Sequence, residues 1–237
     1  MVTNQSQHIS QQFEKELQDI RTRVLAMGGL VEQQIDNAMD ALITGNSELA
    51  REVISTDDQV NELDILIDEE CIQIIALRQP TASDLRLVTG ILKTITDLER
   101  MGDEAVRIAR MALNLSEKDR PKKNYRELQS LGQHVRNMLH DALDAFARFD
   151  VDSALAVAQE DMNVDAEYES ILRQLMTYMM EDPRTVSRVV DMMWSARSLE
   201  RIGDHSRNVA EHIIYLVEGK DVRHLSAEKM KKVVKGE

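Results

Sequence analysis

The hexapeptide LERMGD occupies residues 98–103, and LERIGD occupies residues 199–204. Five of the six residues are identical, and the two copies lie 101 residues apart. Each copy combines two carboxylates, an arginine and a glycine, a polar set for a segment flanked by apolar residues. The pair raises the question of whether the whole chain is duplicated, and why each half keeps these acids.

Further matches precede both hexapeptides in the same order. MGGLVEQQIDNAMDAL (27–42) aligns with LGQHVRNMLHDALDAF (131–146) at an interval of 104 residues. STDDQVNELD (55–64) aligns with QEDMNVDAEY (159–168) at the same interval. The sequence therefore predicts a tandem duplication of one structural unit.

Composition restricts both the fold class and the partners. The 237 residues are 43% apolar and only 3% aromatic, with nine Gly and three Pro, which is typical of long helices rather than β-sandwiches or barrels. A net charge of -13 disfavours nucleic acid and anionic lipid as partners. The single cysteine, Cys71, excludes an intramolecular disulfide and a Cys-based zinc site, and its apolar neighbours indicate a core position.

Helical periodicity is almost continuous, and its breaks divide the chain into six long segments. We expect helices at roughly 8–44, 47–78, 82–115, 124–148, 152–181 and 184–219. Pro80 and Pro183 fall at equivalent positions of the two halves. Asn46 or Ser47 is suited to cap the second helix, and Asp150 or Asp152 the fifth.

These segments predict an all-α fold of two tandem antiparallel three-helix bundles related by internal duplication. The expected boundaries are a first bundle over 1–118, a second over 119–219 and a polar C-terminal tail over 220–237. The generic alternative is one continuous six-helix bundle. The lysine-rich end of the chain is interpreted as a solvated tail rather than a binding arm.

The acids of the hexapeptides fall on predicted packing surfaces. Glu99 and Glu200 lie within apolar seams spaced alternately three and four residues, and Asp103 and Asp204 follow them at i+4. A carboxylate without a counter-charge is costly at such a position, so something positive is expected there. The glycine between each pair of acids predicts a close approach by another helix or a ligand.

The second helix of each half supplies further oxygen atoms. Asp57 and Asn61 stand at i, i+4, as do Asp161 and Asp165. Opposite the hexapeptide acids, they form a set of oxygen ligands suited to hard cations, and Mg²⁺, Mn²⁺, Ca²⁺ and iron are chemically admissible. The alternative is a salt-bridged or solvated role, for example with Asp103 paired to Arg107. Arg100 and Arg201 are expected to point off the seams into surface or inter-helix ion pairs.

Other function classes are less well supported by the sequence. No phosphate-binding glycine loop, HExxH or ExxH motif is present. A carboxylate-bridged metalloenzyme acting on phosphate compounds remains the alternative function, and a purely structural helical protein is the third. A cluster of methionines near the fifth loop is interpreted as core filling, or else as an adaptable partner surface: Met176, Met179, Met180, Met192 and Met193.

No apolar run is long enough to cross a bilayer, and the N-terminal residues have no apolar signal region, so a cytoplasmic protein is expected.

Six stretches of the chain resemble the PhoU family: 27–42 and 98–103, quoted above, with 54–88 (ISTDDQVNELDILIDEECIQIIALRQPTASDLRLV), 138–150 (MLHDALDAFARFD), 168–185 (YESILRQLMTYMMEDPRT) and 199–208 (LERIGDHSRN). The resemblance covers nearly the whole chain in order. It implies a non-enzymatic, cytoplasmic negative regulator of the phosphate regulon that also restrains phosphate uptake. It further implies a homodimer that links the ATPase subunit of the phosphate ABC transporter to a sensor histidine kinase, with membrane contact only through these partners.

The family's E/DxxxD metal motif maps onto three pairs of acids, and Asp57 with Asn61 departs from it because an amide replaces one carboxylate. The first site is therefore expected to bind more weakly than the second. Mg, Mn, Fe or Zn ions are the implied occupants. The implied metal-binding residues are Asp57, Asn61, Glu99, Asp103, Asp161, Asp165, Glu200 and Asp204.

Overall fold

The computed structural model describes residues 2–116 and 125–235, without the side chains of residues 2–10 and 227. Every regular element in these ranges is helical, which confirms the expected fold class. The predicted boundary at 118/119 lies outside the described residues. The elements are α1 (Val2–Thr44), α2 (Ser47–Arg78), α3 (Ala82–Ser116), α4 (Arg126–Arg148), α5 (Val151–Glu181), a 3₁₀ turn (Pro183–Thr185), α6 (Val186–Glu218) and α7 (Ala227–Lys235).

Two tight connections show why the duplicated helices begin where they do. Gly45 adopts a left-handed φ of 76° after α1, and the Asn46 side chain accepts from two backbone N–H groups of the first turn of α2. In the second half, Phe149 takes the left-handed conformation, and Asp150 accepts from Ser153 N at 3.1 Å. Each cap satisfies N–H groups that a helix N-terminus otherwise leaves without partners.

The helices pack as the duplication predicts. Helices α1, α2 and α3 pack on one another, as do α4, α5 and α6, and α3 lies against α6 to join the two halves. Buried apolar side chains from all six long helices form one continuous core, to which Cys71 contributes as expected. The α3–α6 contact therefore places the two hexapeptides on adjacent central helices.

A buried polar cluster joins α3 to α6. The carboxylate of Asp97 accepts hydrogen bonds from His205 Nδ1 and His212 Nε2, both at 2.8 Å, and from Asn208 Nδ2 at 3.1 Å. Burial disfavours the ionised carboxylate, but these hydrogen bonds outweigh burial and lower the pKa of Asp97 to about 2. The two halves are consequently connected by a charged network as well as by apolar packing.

The C-terminal segment has the exposed lysines expected of a solvated tail, but a few of its apolar side chains are buried. Val222 and Met230 are fully buried, and Lys220 Nζ donates to the Val233 carbonyl at 2.8 Å. Helix α7 is amphipathic, with its lysines exposed and Met230 turned inward, so it can fold back onto α5 despite its polar composition.

Candidate metal centres

The first candidate centre lies where α1, α2 and α3 meet. Asp57 of α2 is half-buried and accepts from Gln34 Nε2 of α1 and from Asn61 Nδ2, both at 3.3 Å. Asn61 thus uses one amide hydrogen to hold the Asp57 carboxylate. Asp103 of α3 lies close enough for its charge to act on Asp57, so the predicted facing of the two acid-bearing helices is observed.

Gly102 makes this close approach possible. A Cβ added at Gly102 would lie 3.1 Å from Gln34 Oε1 and 3.3 Å from Asp57 Oδ1. Both distances are shorter than ordinary van der Waals contact, so a side chain at this position would push the polar groups of α1 and α2 away from α3. Because Gly102 has no side chain, Gln34 and Asp57 can pack directly against the backbone of α3.

The first centre carries negative charge that its neighbours do not neutralise. Burial, followed by the charge of Asp103, raises the pKa of Asp57 in spite of its two amide hydrogen bonds. Burial also raises the pKa of Glu99, and the carboxylates of Asp103, Asp64 and Asp57 add to the effect, whereas Arg100 opposes it. Raised pKa values are expected where carboxylates are partly buried next to other carboxylates.

Gln34 supplies a second sign that the first centre fits a cation. Its side chain is only 5% exposed, and its Oε1 atom has no hydrogen-bond partner among the described residues. Buried carbonyl oxygens are normally paired, so an unpaired one beside carboxylates offers a ligand atom of the kind that hard cations take. The available donors are oxygens, which suits Mg²⁺ or Mn²⁺.

The second candidate centre contains its own counter-charges. Asp161 of α5 is buried, and Arg207 Nη1 of α6 lies 2.8 Å from its Oδ2 atom. The same guanidinium reaches Glu211 Oε1 through Nε at 3.0 Å. Arg197 forms an ion pair with Glu200 one turn away on α6. Two guanidinium groups therefore compensate acids at the second centre.

Equivalent positions of the first half carry no such charge. Val106 stands where the second half has Arg207, and Thr96 stands where it has Arg197, both at the hexapeptide interval of 101 residues. The second half thus has arginines at two positions of the acidic centre where the first half has uncharged side chains.

Glu200 is only partly compensated by its ion pair with Arg197. It is 8% exposed, and its Oε2 atom has no hydrogen-bond partner within the described ranges. Burial and then the charge of Asp204 raise its pKa to about 7, while Arg197 lowers it and Asp165 and Asp161 raise it. Burial likewise raises the pKa of Asp204, with contributions from the same two aspartates. The seam position of Glu200 predicted this burial.

Two arginines outside the seams, Arg107 and Arg201, form ion pairs with the same carboxylate. Arg107, considered above as a partner of Asp103, instead places Nη1 2.7 Å from Glu104 Oε1. Arg201 Nε lies 2.7 Å from the same oxygen across the α3–α6 contact, which confirms the expected inter-helix ion pair. Asp103 is consequently left to the first acidic cluster.

The expected acids lie on neighbouring helices, α2 and α3 in the first half and α5 and α6 in the second. However, their carboxylates do not converge on one position where a metal ion could bind. Within the described ranges, no three His, Cys, Asp or Glu side chains already surround a position for a metal ion. Binding at either centre would therefore require the carboxylates to converge by rotation about their side-chain bonds. The assignment of the eight predicted ligands stays a prediction.

Three side chains of these centres escaped prediction from the sequence. Arg207 lies seven residues after Glu200, two helical turns further along the same seam, and this spacing could have identified it as a cation facing the acids. Gln34 lies on the inner face of α1, but a lone glutamine there carries no signal of its own. Arg197 precedes Glu200 by three residues, a spacing that is common on helix surfaces.

Comparison with known families accounts for the repeated architecture. A family model described as the PhoU domain matches the chain twice, over residues 24–112 and 128–213. The chain belongs to the PhoU family. The two matches correspond to the two copies of the duplicated PhoU unit, and each contains one hexapeptide.

Relatives within the PhoU family are similar over almost their full length. A Pseudomonas putida protein named phosphate-specific transport system accessory protein PhoU homolog is 56% identical, over 97% of this chain and 90% of its own. The phosphate-specific transport system accessory protein PhoU of Escherichia coli K12 is 52% identical, over 98% of this chain and 96% of its own.

Solved PhoU structures share the fold. The crystal structure of PhoU from Pseudomonas aeruginosa superposes with a TM-score of 0.85 at 55% identity, over 88% of this chain and all of that one. A phosphate transport system regulatory protein PhoU from Streptococcus pneumoniae gives 0.82 at 30% identity, over 89% of this chain and 99% of its own. Across the part of the chain that the structure describes, no helix is long and apolar enough to traverse a bilayer.

Proposed function

We propose that this PhoU-family chain is a cytoplasmic negative regulator of the phosphate regulon that also restrains phosphate uptake. It acts as a non-enzymatic adaptor between the ATPase subunit of the phosphate ABC transporter and the phosphate-sensing histidine kinase. The observation that carries the proposal is the near full-length similarity to proteins named as accessory to phosphate-specific transport. We also propose a homodimer as the working form.

Exposed apolar side chains supply a surface for such partners. Around the α5–α6 connection, Met176, Met180, Val186, Val190 and Trp194 are exposed, and Trp194 is 61% accessible. A cluster of this kind is typical of a protein-binding surface, and methionine adapts to different partners. Met192 from the predicted methionine cluster is instead fully buried, so that cluster divides between core filling and surface.

We further propose that the first centre binds a divalent cation, with Asp57, Glu99 and Asp103 as carboxylate ligands and Asn61 and Gln34 as neutral oxygen ligands. Mg²⁺ or Mn²⁺ best matches this oxygen set, and iron or zinc is the alternative occupant. The cation would offset the mutual repulsion of the acids and stabilise the contact between α2 and α3.

The second centre, with Asp161, Asp165, Glu200 and Asp204, is proposed as the weaker cation site. This ranking reverses the expectation based on Asn61 alone. The Arg207 guanidinium already lies next to Asp161, where a cation would bind, and it neutralises the Asp161 carboxylate. An incoming cation must therefore displace a guanidinium or overcome its repulsion. At the first centre, no arginine among the described residues forms an ion pair with Asp57 or Asp103.

A co-purification experiment tests the adaptor role. Tagged wild-type protein is recovered from phosphate-replete cells, next to a Trp194→Ser/Met180→Ser variant and a Met162→Ser control, which alters an exposed methionine elsewhere on α5. Wild type and control are expected to retrieve the kinase and the transporter ATPase, and the double variant to lose at least one of them.

Function is read in the same strains from a promoter that phosphate starvation activates. Removing the protein is expected to raise reporter expression in phosphate-rich medium. Recovery of neither partner by wild type, together with a reporter that does not respond to its removal, would contradict the proposed role.

A further inference from the structure

The outward side of α2 exposes isoleucine side chains to solvent. Ile65 is 60% exposed and Ile72 is 54% exposed, although isoleucine is among the residue types most often buried. Seven residues separate the two, which is two helical turns, so both lie on the side of α2 opposite its buried residues. Ile75, which is also exposed, extends this line by one turn. Ile65, Ile72 and Ile75 are together called the α2 surface below.

The charge around the α2 surface has a single sign. Residues 52–77 contain eight acidic residues and no lysine, arginine or histidine: Glu52, Asp57, Asp58, Glu62, Asp64, Asp68, Glu69 and Glu70. Three exposed acids, Glu62, Asp68 and Glu69, stand three or four residues from the isoleucines and so border them on the helix. Within the described ranges, these three carboxylates form no ion pair, whereas Glu70 pairs with Arg23 Nε of α1 at 3.2 Å.

This border of charge is separate from the first acidic centre. Burial raises the pKa of Glu99 on α3, and the charges of Asp103, Asp64 and Asp57 add to the effect, so the last two aspartates lie on the side of α2 toward α3. The three bordering acids are instead exposed on the outer side. A cation bound at the first centre would therefore leave the negative border of the α2 surface in place.

The second half does not repeat the α2 surface. At the interval of 104 residues, the three bordering acids correspond to Ala166, Leu172 and Arg173 of α5, and Ile65 corresponds to Glu169. The duplicated helices thus present different chemistry to solvent. A partner that recognises an apolar line between carboxylates would bind the first half alone.

The combination of an apolar line with a negative border restricts what can cover it. Two copies of this chain placed with these surfaces face to face would bring two rows of carboxylates together, and such like-charge contacts are unfavourable. An anionic bilayer is repelled for the same reason. A helix with apolar residues on one side and Lys or Arg beside them meets both requirements, because the former can pack on isoleucine while the latter pair with carboxylates.

We propose that the α2 surface binds a basic amphipathic helix of a partner protein. The isoleucines contact the apolar side of that helix, and Glu62, Asp68 and Glu69 pair with its Lys or Arg side chains. This docking site is distinct from the apolar cluster at the α5–α6 connection and does not depend on the adaptor role proposed above.

Fluorescence anisotropy with two labelled peptides tests the site. Both peptides carry the same heptad pattern of leucines, with lysine at the polar positions of one and glutamate at those of the other. They are titrated with metal-free full-length wild type, Ile65→Ser/Ile72→Ser, Asp68→Asn/Glu69→Gln and Met162→Ser/Met176→Ser. The last variant is the matched control, because it replaces two exposed apolar side chains of α5, one of them at the position equivalent to Ile72. Circular dichroism checks that each variant is folded.

The expected result is saturable, one-to-one binding of the lysine peptide to wild type and control, with little binding of the glutamate peptide. Both α2 variants should bind the lysine peptide about tenfold or more weakly, since each loses two contacts of its kind. Absence of saturable binding, equal affinity of all four proteins, or tight binding of the glutamate peptide would overturn the proposal. Full affinity in Asp68→Asn/Glu69→Gln would also overturn it, because charge would then play no part.

Sedimentation of wild type and Ile65→Ser/Ile72→Ser separates the other occupants from a basic helix. The two proteins are expected to have the same oligomeric state and to remain free of phosphatidylglycerol vesicles. A wild-type oligomer that the isoleucine changes dissociate would assign the α2 surface to a contact between copies of this chain. Vesicle binding that the same changes abolish would assign it to a membrane, and either result would contradict the proposal.

Discussion

The two acidic centres occupy equivalent places in a duplicated fold, yet they differ in how their charge is balanced. At the first centre, Asp57 is bonded by neutral amides, and burial together with neighbouring carboxylates raises the pKa of Asp57 and of Glu99. At the second centre, Arg207 bridges Asp161 and Glu211 directly. Three of the four acid positions are shared by the two halves, whereas the compensating charges differ.

The comparison shows that counting carboxylates is a poor guide to which centre prefers a cation. The second centre has the full complement of four acids, and Asn61 leaves the first with one fewer. However, a guanidinium on the protein competes with a metal ion for the same carboxylates. The balance of charges within each centre, rather than the number of acids, supports the first as the stronger cation site.

Removal of Arg207 should have the largest effect of the changes considered. Arg207→Met leaves the buried carboxylates of Asp161 and Glu211 without a partner, and breaking a buried ion pair in this way costs about 3 kcal/mol in unfolding free energy. Denaturant unfolding in chelator measures the loss. Val106→Met is the matched control in the first half, and it is expected to lower the free energy of unfolding by less than about 1.5 kcal/mol. Equal losses of unfolding free energy in the two variants would contradict the compensating role of Arg207.

Glu200→Gln should have an effect that depends on pH. The folded protein raises the pKa of Glu200 from 4.5 to about 7, so the native state favours the protonated side chain. The stability associated with the protonated form is present below pH 4.5 and is lost as pH rises through 7.

In metal-free protein, the glutamine variant should therefore match wild type near pH 4.5 and exceed it by about 2 kcal/mol at pH 8, given about 1.4 kcal/mol for each pKa unit and some exposure to solvent. Thermal unfolding across this range checks the sign. Glu99→Gln should show the same direction in the first half, because burial raises the pKa of Glu99 too. A Glu200→Gln variant that is less stable than wild type at pH 8 would show that the ion pair with Arg197 dominates instead.

Asn61→Asp should produce the smallest change in stability. The substitution gives the first centre the carboxylate that Asp165 provides in the second, and an added like charge at i+4 costs about 0.5 kcal/mol without metal. Divalent cations should bind the variant more tightly than wild type, as titration with Mn²⁺ can measure. The reciprocal Asp165→Asn should weaken Mn²⁺ binding only at the second centre. If Asp165→Asn weakened the tighter of the two Mn²⁺ sites, the ranking of the centres would be overturned.

Much of the fold followed from the sequence because the signals are local. Pro80 and Pro183 interrupt helices, and Asn46 and Asp150 cap them. The long helices lie within two residues of their predicted bounds, except that α1 begins six residues earlier, at Val2. Periodicity also placed Glu200 correctly in a buried seam. Such signals depend on neighbours within one or two helical turns, which the sequence displays directly.

The rest depends on contacts between distant segments. The Asp97 cluster joins residues more than 100 positions apart, so no spacing within α3 or α6 reveals it. Gln34 approaches Asp57 only because Gly102 lets three helices meet. The C-terminal helix was missed because a few buried apolar groups, such as Met230, are enough to dock a segment that is mostly lysine and polar residues.

Titration with Mn²⁺ of three metal-free proteins tests the difference between the centres most directly: wild type, Asp57→Asn/Asp103→Asn and Asp161→Asn/Asp204→Asn. Calorimetry gives the affinity and the number of sites, and circular dichroism confirms that each variant is folded. Loss of the tighter Mn²⁺ site in the first-half variant and its retention in the second-half variant is the predicted result. A tighter site that survives the first-half changes and disappears with the second-half changes would contradict it.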